Sequence, residues 1–394
     1  MSRKAKLILA FIAAVTAAVI VAAFLTAAFL RQRAMMSRFS ECDKLTQLEK
    51  LIGSFYIDDY DEGALEDAAA EAMIEALDDP WSYYVPAAEA EALNEQMNNG
   101  YQGVGITVAV DDGQCVVLAV QKDSPAQAAD IRVGDILTAV DGTDVTGWTV
   151  DEIKDVVRGP EGTPVRLGIQ RGDDSFETEI TRSFVRVQVV FGQMLAHQIA
   201  LIAIDNFTAG SAQQFSETLS ELLAQGAKGL IFDVRFNPGG DRSELVEILD
   251  TLLPEGEIFK SVDYRGDTDS DTSDADCVDL PMAVIVHADS VSAAEYFAAA
   301  LQEYGKAEII GEQTVGKGNY QNTFTLRDGS IVGLSTGHYF TPNGKSLSGI
   351  GVNPDIKIAL TDEQYDLLYY GQLLPEDDPQ IQAAIQAVEN AIGK

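Results

Sequence analysis

From Ile199 onward, short apolar runs alternate with helix-like stretches, and that alternation leaves little choice of architecture. Ile199–Ile204, Gly229–Val234, Ala283–Val286 and Glu308–Ile310 read as strands. Ala212–Leu223, Ser243–Leu253 and Ala293–Tyr304 read as the helices between them. Strand alternating with helix implies an α/β layer.

Upstream, the pattern changes twice. Leu45 to about Asn98 is helical, with one helix over Ala64–Leu77 broken by Asp78-Asp79-Pro80 and a second over Pro86–Met97. Nothing in this segment looks catalytic. From Tyr101 the period shortens: Val104–Val110 and Cys115–Val120 read as strands around an Asp111-Asp112-Gly113 turn. Ser124-Pro125 opens a short helix, Ser as N-cap and Pro at its first position. Ile136–Val140, a helix over Val150–Val157 and a last strand over Val165–Gln170 complete a compact β-rich module. A chain of 394 residues is long enough for several such domains.

The N-terminus stands apart. Leu7–Leu30 is an uncharged apolar stretch of 24 residues, flanked by Arg3, Lys4 and Lys6 and by Arg31 and Arg33. At about 1.5 Å per residue it spans a bilayer core of about 30 Å. Its length favours an uncleaved signal-anchor over a cleaved signal peptide.

Charge and composition exclude several functions. The first 38 residues hold six basic and no acidic residues, so the remainder carries 21 basic against 62 acidic. Such a surface repels phosphates, and no nucleic acid partner is expected. Cys42, Cys115 and Cys277 cannot build a disulfide framework. With His197, His287 and His338 far apart, no metal site is expected. Residues 266–279 read as a solvated Asp-rich loop. The spacing Asp267-x-Asp269-x-Asp271 hints at calcium, but Thr272 replaces the required Gly and Val278 the required Glu.

Three clusters could carry chemistry. Asn237-Pro238-Gly239-Gly240 follows a strand, where paired glycines let backbone N–H groups approach another group. Alone, it is a plain turn. Ser292 stands between strand and helix, and with Glu295 it reads first as a capping box. That position also suits a nucleophile, because a helix N-terminus favours developing negative charge. Gly316-Lys317-Gly318 with Gln321 is the third. Gly311 to Lys317 fits a phosphate-binding loop, but Gly318 replaces the Ser or Thr that would bind magnesium, and Thr323–Leu326 reads as a strand where a helix is required.

Taken together, the clusters resemble the C-terminal processing peptidases, also called tail-specific proteases, Ser–Lys enzymes that bear a PDZ domain. The family's Ser-Ala-Ser-Ala-Ser-Glu junction matches Ser290-Val291-Ser292-Ala293-Ala294-Glu295, and its Gly-Lys-Gly-x-x-Gln motif matches Gly316 to Gln321. Tyr339-Phe340-Thr341-Pro342-Asn343-Gly344, Gly351 to Ile356 and Asp378-Pro379-Gln380 also fit. The resemblance implies Ser292 as nucleophile, Lys317 as base, Gln321 as its orienting group, and Gly239 or Gly240 with Ala293 as oxyanion donors. It implies a carboxylate-binding loop at Gly103-Val104-Gly105-Ile106 and a regulatory role for Arg158. Val291, Ala294, Phe236 and Asp130 depart from the family's usual residues without removing a catalytic group.

The expected organisation is therefore multidomain, α+β with α/β. A signal-anchor occupies 1–38, a small helical region 39–98, a PDZ-like β domain 99–185, an α/β protease core 186–361 and a helical tail 362–394. The implied activity is a serine endopeptidase acting on proteins with apolar C-termini, without a cofactor. The implied setting is a single-pass protein of the cell membrane with its protease outside the cytoplasm, and the helical region implies a homodimer. The alternative is a catalytically inactive membrane-anchored PDZ scaffold. Lys317 can act as a base only when neutral, so it should be buried, close to Ser292 and unpaired with a carboxylate.

Overall fold

The computed structural model describes Thr26 and residues 43–393. The predicted span Leu7–Leu30 lies, Thr26 apart, outside the described residues. Among those described, no helix is long and apolar enough to cross a membrane. The chain divides into two compact units, one ending at Ala69 and the other running from Ala70 to Lys394.

The first unit holds α1 (Asp43–Phe55) and the start of α2 (Glu62–Glu75). Leu48, Leu51 and Phe55 of α1 are exposed. In the second unit, α2 ends just before Asp78, whose φ of 54° is incompatible with a continuing helix. The chain then forms β1 (Tyr83–Val85) and α3 (Ala90–Met97), which starts later than the sequence implies.

The β module opens with β2 (Gly100–Gly103), β3 (Ile106–Asp111), β4 (Gln114–Val120) and β5 (Ile136–Val140). It continues through α4 (Val150–Val157), β6 (Pro164–Arg171), β7 (Asp174–Thr181) and β8 (Ser183–Arg186). Its sheet runs β3-β4-β5-β6-β7, and β2 pairs separately with β8. β7 was not anticipated. It pairs with β6 over its whole length, but only Ile180 is buried, so its sequence carries almost no apolar alternation. Val104, Val117, Leu137, Ile153, Leu167 and Ile169 form this module's core.

The larger core is built on β9 (Val190–Met194), β10 (Ile199–Ile204), α5 (Ser211–Ala224), β11 (Gly229–Asp233) and α6 (Arg242–Leu252). β12 (Gly256–Asp263), β13 (Thr268–Ser273), β14 (Met282–Val286), α7 (Ala293–Glu303) and β15 (Ala307–Gly311) follow. β16 (Asn319–Thr325), β17 (Ile331–Phe340), β18 (Ile356–Lys357), α8 (Asp362–Tyr369) and α9 (Pro379–Ile392) complete it. One sheet has the order β9-β10-β11-β14-β15-β18, parallel from β10 to β18.

Both faces of this sheet are covered, which is why its strands read as continuous apolar runs. Ile202, Phe232 and Val284 point toward the helices α5, α6 and α7. Their neighbours Leu201, Ile231 and Ile285 point toward α9. A second sheet pairs β17 with β16 along one edge and with β1 and β12 along the other, β13 lying outside β12. The Asp-rich segment is thus not a loop. Thr268–Ser273 pairs with β12 as an edge strand. Its alternating Asp residues gave no apolar signal, and hairpin pairing with the preceding strand supplied the structure.

The tail helix is pinned to the sheet by a buried ion cluster. Arg235 pairs with Asp233 at 2.6 Å and with Asp378 at 2.7 Å, and it also donates to Gln380 at 3.0 Å. Asp378 is in turn the N-cap of α9, accepting from the N–H groups of Gln380 and Ile381. Removing one member of such a cluster leaves buried charge uncompensated. Asp378→Ala should therefore destabilise the second unit by about 3 kcal/mol. Thermal unfolding checks this, and an unchanged Tm would mean that α9 is held by apolar contact alone.

Candidate active site

In an open parallel sheet, ligands bind beyond the carboxyl ends of the strands. All three sequence clusters emerge there: Asn237–Gly240 after β11, Ser292 after β14, and Lys317 after β15. Side chains staple the loops together. Asn237 Nδ2 donates to Ile204 O at 2.7 Å, and Ser290 Oγ donates to Val234 O at 2.8 Å. Val291 N–H donates to Asn237 O at 2.9 Å.

Ser292 sits at φ 58°, ψ −114°, a conformation that non-glycine residues rarely adopt. It lies on a sharp strand-to-helix turn with α7 starting at the next residue. Gly239 and Gly240 pass close by. A Cβ on Gly239 would come within 2.8 Å of Ser292 Cβ, and one on Gly240 within 2.2 Å of Phe207 C, so both must be glycine. Gly239 N–H already donates to Asn237 Oδ1 at 2.8 Å. Gly240 and Ala293 line the cavity beside Ser292.

That cavity measures about 640 Å³. Ser292, Lys317, Gln321, Tyr296 and Tyr339 all contribute to its wall. The Lys317 amine is pushed down by burial, while the carboxylates of Glu295 and Asp79 pull it up and only partly offset this. No ion pair to Lys317 forms among the described residues. Gln321 lines the same cavity and donates its amide to Ser335 Oγ at 3.0 Å. Tyr339 is buried, donates its hydroxyl to Lys317 O and lies within reach of the Ser292 side chain.

Glu295 does more than cap a helix. Fully buried, its carboxylate accepts the N–H of Ser292 at 2.8 Å and of Lys317 at 2.9 Å. It also accepts the N–H of Gly316 at 2.7 Å and the Thr314 hydroxyl at 2.5 Å. The capping-box reading found this residue but not its bonds across to the lysine loop.

A second contributor was missed altogether. The segment before β1, where no chemistry was expected, brings the Trp81 ring to 5.1 Å from the Lys317 amine. Asp78-Asp79-Pro80 was noted only as a helix break. His287 does not line the cavity. Its ring faces Phe236 and Tyr365, with Asp289 3.2 Å and Glu312 3.5 Å away.

The predicted peptide-binding loop lies at the start of β3, an edge strand of its sheet. Gly105 has φ 88° and packs on Ser124, Val104 is buried, and Ala126 N–H donates to Val104 O at 2.8 Å. Arg158, C-cap of α4, donates to both Glu95 oxygens at 2.9 and 2.6 Å and stacks 4.4 Å over Tyr101. Glu95 lies on α3, whose last residue, Met97, lines the same cavity as Ser292 and Lys317.

A strained serine at a helix start, backed by a lysine on a covered sheet and joined to a small β module, defines a PDZ-bearing serine peptidase. Peptidase family S41 matches residues 198–358, and a PDZ domain matches residues 116–171. The carboxy-terminal processing protease CtpA of Bacillus subtilis (strain 168) is 32% identical over 367 residues, spanning 92% of this chain and 79% of that protein. A probable CtpA-like serine protease of Staphylococcus haemolyticus (strain JCSC1435) is 31% identical over 323 residues, 81% of this chain and 65% of that protein. Among solved structures, the photosystem II D1 C-terminal processing protease is 26% identical with a TM-score of 0.46, covering 80% of this chain and 87% of its own. The chain belongs to the C-terminal processing peptidase family.

Glu295→Gln keeps the side chain's shape but turns an amide toward N–H groups that need an acceptor. A shift of about 1 Å in a reacting group can cost on the order of 10²-fold, and that is the expected fall in kcat for this variant. Steady-state cleavage on folded protein tests it. A wild-type rate would show that the four bonds do not hold the site.

Proposed function

We propose that the chain is a serine endopeptidase that captures apolar protein C-termini on its PDZ domain and cleaves with Ser292 as nucleophile and Lys317 as base. The observation that carries this reading is the Lys317 amine, half-buried in the same cavity as the strained Ser292 and shifted toward its neutral form. Neutral Lys317 Nζ takes the Ser292 Oγ proton as Oγ attacks the scissile carbonyl. The oxyanion is received by backbone N–H groups. Ala293 and Gly240 are the better pair, since the Gly239 N–H is engaged. The Lys317 ammonium then protonates the leaving amine, and water, deprotonated by Lys317, hydrolyses the acyl-enzyme. Gln321 is assigned a positioning role, acting from its bond to Ser335.

On the PDZ domain, a substrate C-terminus would add a strand to the β3 edge, its carboxylate held by N–H groups of Gly103 to Ile106. Arg158 would pass that event to the active site through Glu95 and α3. The apolar segment Leu7–Leu30 is proposed as a signal-anchor holding the protease outside the cytoplasm, and the N-terminal helical region as a homodimer contact.

Cleavage of an unstructured protein with an apolar C-terminus tests the dyad. Ser292→Ala should lose on the order of 10⁴-fold in kcat. Lys317→Ala should lose about 10³-fold. Because the base must be neutral, kcat/KM should rise with pH along one acid limb, its midpoint below the ordinary lysine pKa of about 10.4. Equal cleavage by wild type and both variants would exclude the dyad, and folded wild type without any turnover would support an inactive PDZ scaffold.

Arg158→Ala should change basal activity, its stimulation by a C-terminal peptide, or both. If neither changes, Arg158 has no regulatory role.

A further inference from the structure

We infer that Trp81 is a positioning residue for the catalytic base: its indole packs over the Lys317 amine, keeps water from it and holds its direction. The inference rests on the Ser–Lys reading above. Trp81 belongs to a segment that precedes the PDZ domain, far in sequence from the chemistry it covers. Its ring centroid lies 5.1 Å from Lys317 Nζ.

The placement of Trp81 is fixed from both sides. Asp79 Oδ1 accepts the Trp81 N–H at 3.2 Å, and Asp79 Oδ2 accepts the Ser82 hydroxyl at 2.6 Å. Ser82 Oγ in turn accepts the Ser335 N–H at 3.0 Å, and Ser335 Oγ accepts the Gln321 amide at 3.0 Å. This chain runs without a gap from the turn that carries Trp81 to Gln321 in the cavity wall. On the other side, Tyr83 begins β1 and is paired with Gly333 of β17. Its ring lies so close to Gly333 that a Cβ there would come within 2.3 Å.

An indole over an amine acts in two opposite ways. Its face attracts the ammonium form. Its bulk removes water and favours the neutral form. The groups that bear on the amine are the carboxylates of Glu295 and Asp79, both favouring the ammonium form, and the Tyr339 phenol, which burial keeps protonated. Asp241 and Arg242 line the same cavity. Against two carboxylates the amine is still shifted toward neutrality, with burial as the largest cause. Trp81, its ring centroid 5.1 Å from the amine, supplies part of that burial and is assigned the water-excluding role.

The test measures kcat/KM for an unstructured protein substrate from pH 5 to 10, using the full chain and its Trp81→Ala and Trp81→Gln variants. Lys317→Ala is the control, and circular dichroism melts report folding. Either Trp81 variant opens the amine to water or a polar group. The acid limb should move to higher pH by about one unit. At pH below the limb the rate should fall about tenfold, with most of it regained above the limb. If the Ala variant does not fold, the Gln variant decides. A rate lowered equally at every pH, with the limb unmoved, would reduce Trp81 to a structural residue. A limb moved to lower pH would mean that the ring acts as a cation site, reversing the inference. Activity retained in Lys317→Ala would remove the Ser–Lys reading itself. A dead Lys317→Ala beside an unmoved limb would remove only the role of Trp81.

Discussion

One buried carboxylate holds the two halves of this candidate active site together. Glu295 lies on the first turn of α7, with Ser292 starting that turn and Lys317 in the loop after β15. A charge buried this deeply costs several kcal/mol unless its oxygens are satisfied, and here each oxygen accepts two hydrogen bonds. Three of the four donors are backbone N–H groups. The lysine loop therefore cannot leave the serine without stranding the charge, so the cost of burial becomes geometric precision. Two charges' worth of logic meet here: the same carboxylate favours the ammonium form of Lys317, and the site must oppose it with burial.

The sheet explains why such a device is possible. Adjacent parallel strands β11, β14 and β15 end side by side, and each delivers one loop to the same cavity. Glycines at 239 and 240 let the first loop approach Ser292 and Phe207 at distances no side chain would allow. The strain at Ser292 persists because the loops around it are bonded on every side, from Ser290, Val291 and Asn237. On the far face α9 seals the sheet, and Arg235, just past the end of β11, ties that seal to the same turn that carries Asn237.

Local pattern revealed the parts of this fold that are locally determined. The strands of the central sheet are apolar on both faces, so they were legible, as were the Ser124 cap and the junction at Ser292. The second sheet and the last strand of the β module's sheet were not. β13 is an Asp-rich edge strand, β7 buries one side chain, and β1 is three residues long. Each exists because another strand offers hydrogen bonds, the preceding one for β7 and β13 and a distant one for β1, and no periodicity in its own sequence announces that. Trp81 was hidden for the same reason. Its role depends on the register of Tyr83 against Gly333, a pairing across 250 positions of chain. Among the site residues, the motif located Gly239 and Gly240 together, but only the bond from Gly239 N–H to Asn237 separates them.

The order of segments along the chain has a mechanical consequence. Trp81 and α3 both precede the PDZ domain, and in a protease core that follows it Trp81 packs over Lys317 while α3 reaches the cavity wall through Met97. The PDZ domain is thus inserted between two parts of one active site. It grips the first part through Arg158, which holds Glu95 by two bonds and covers Tyr101. It joins the second part through β8, whose Arg186 reaches Ala209 O beyond β10. A domain tied at both ends to the walls of a cavity cannot shift without loading those ties. The serine and lysine loops, by contrast, are joined to each other by the four hydrogen bonds on the Glu295 carboxylate.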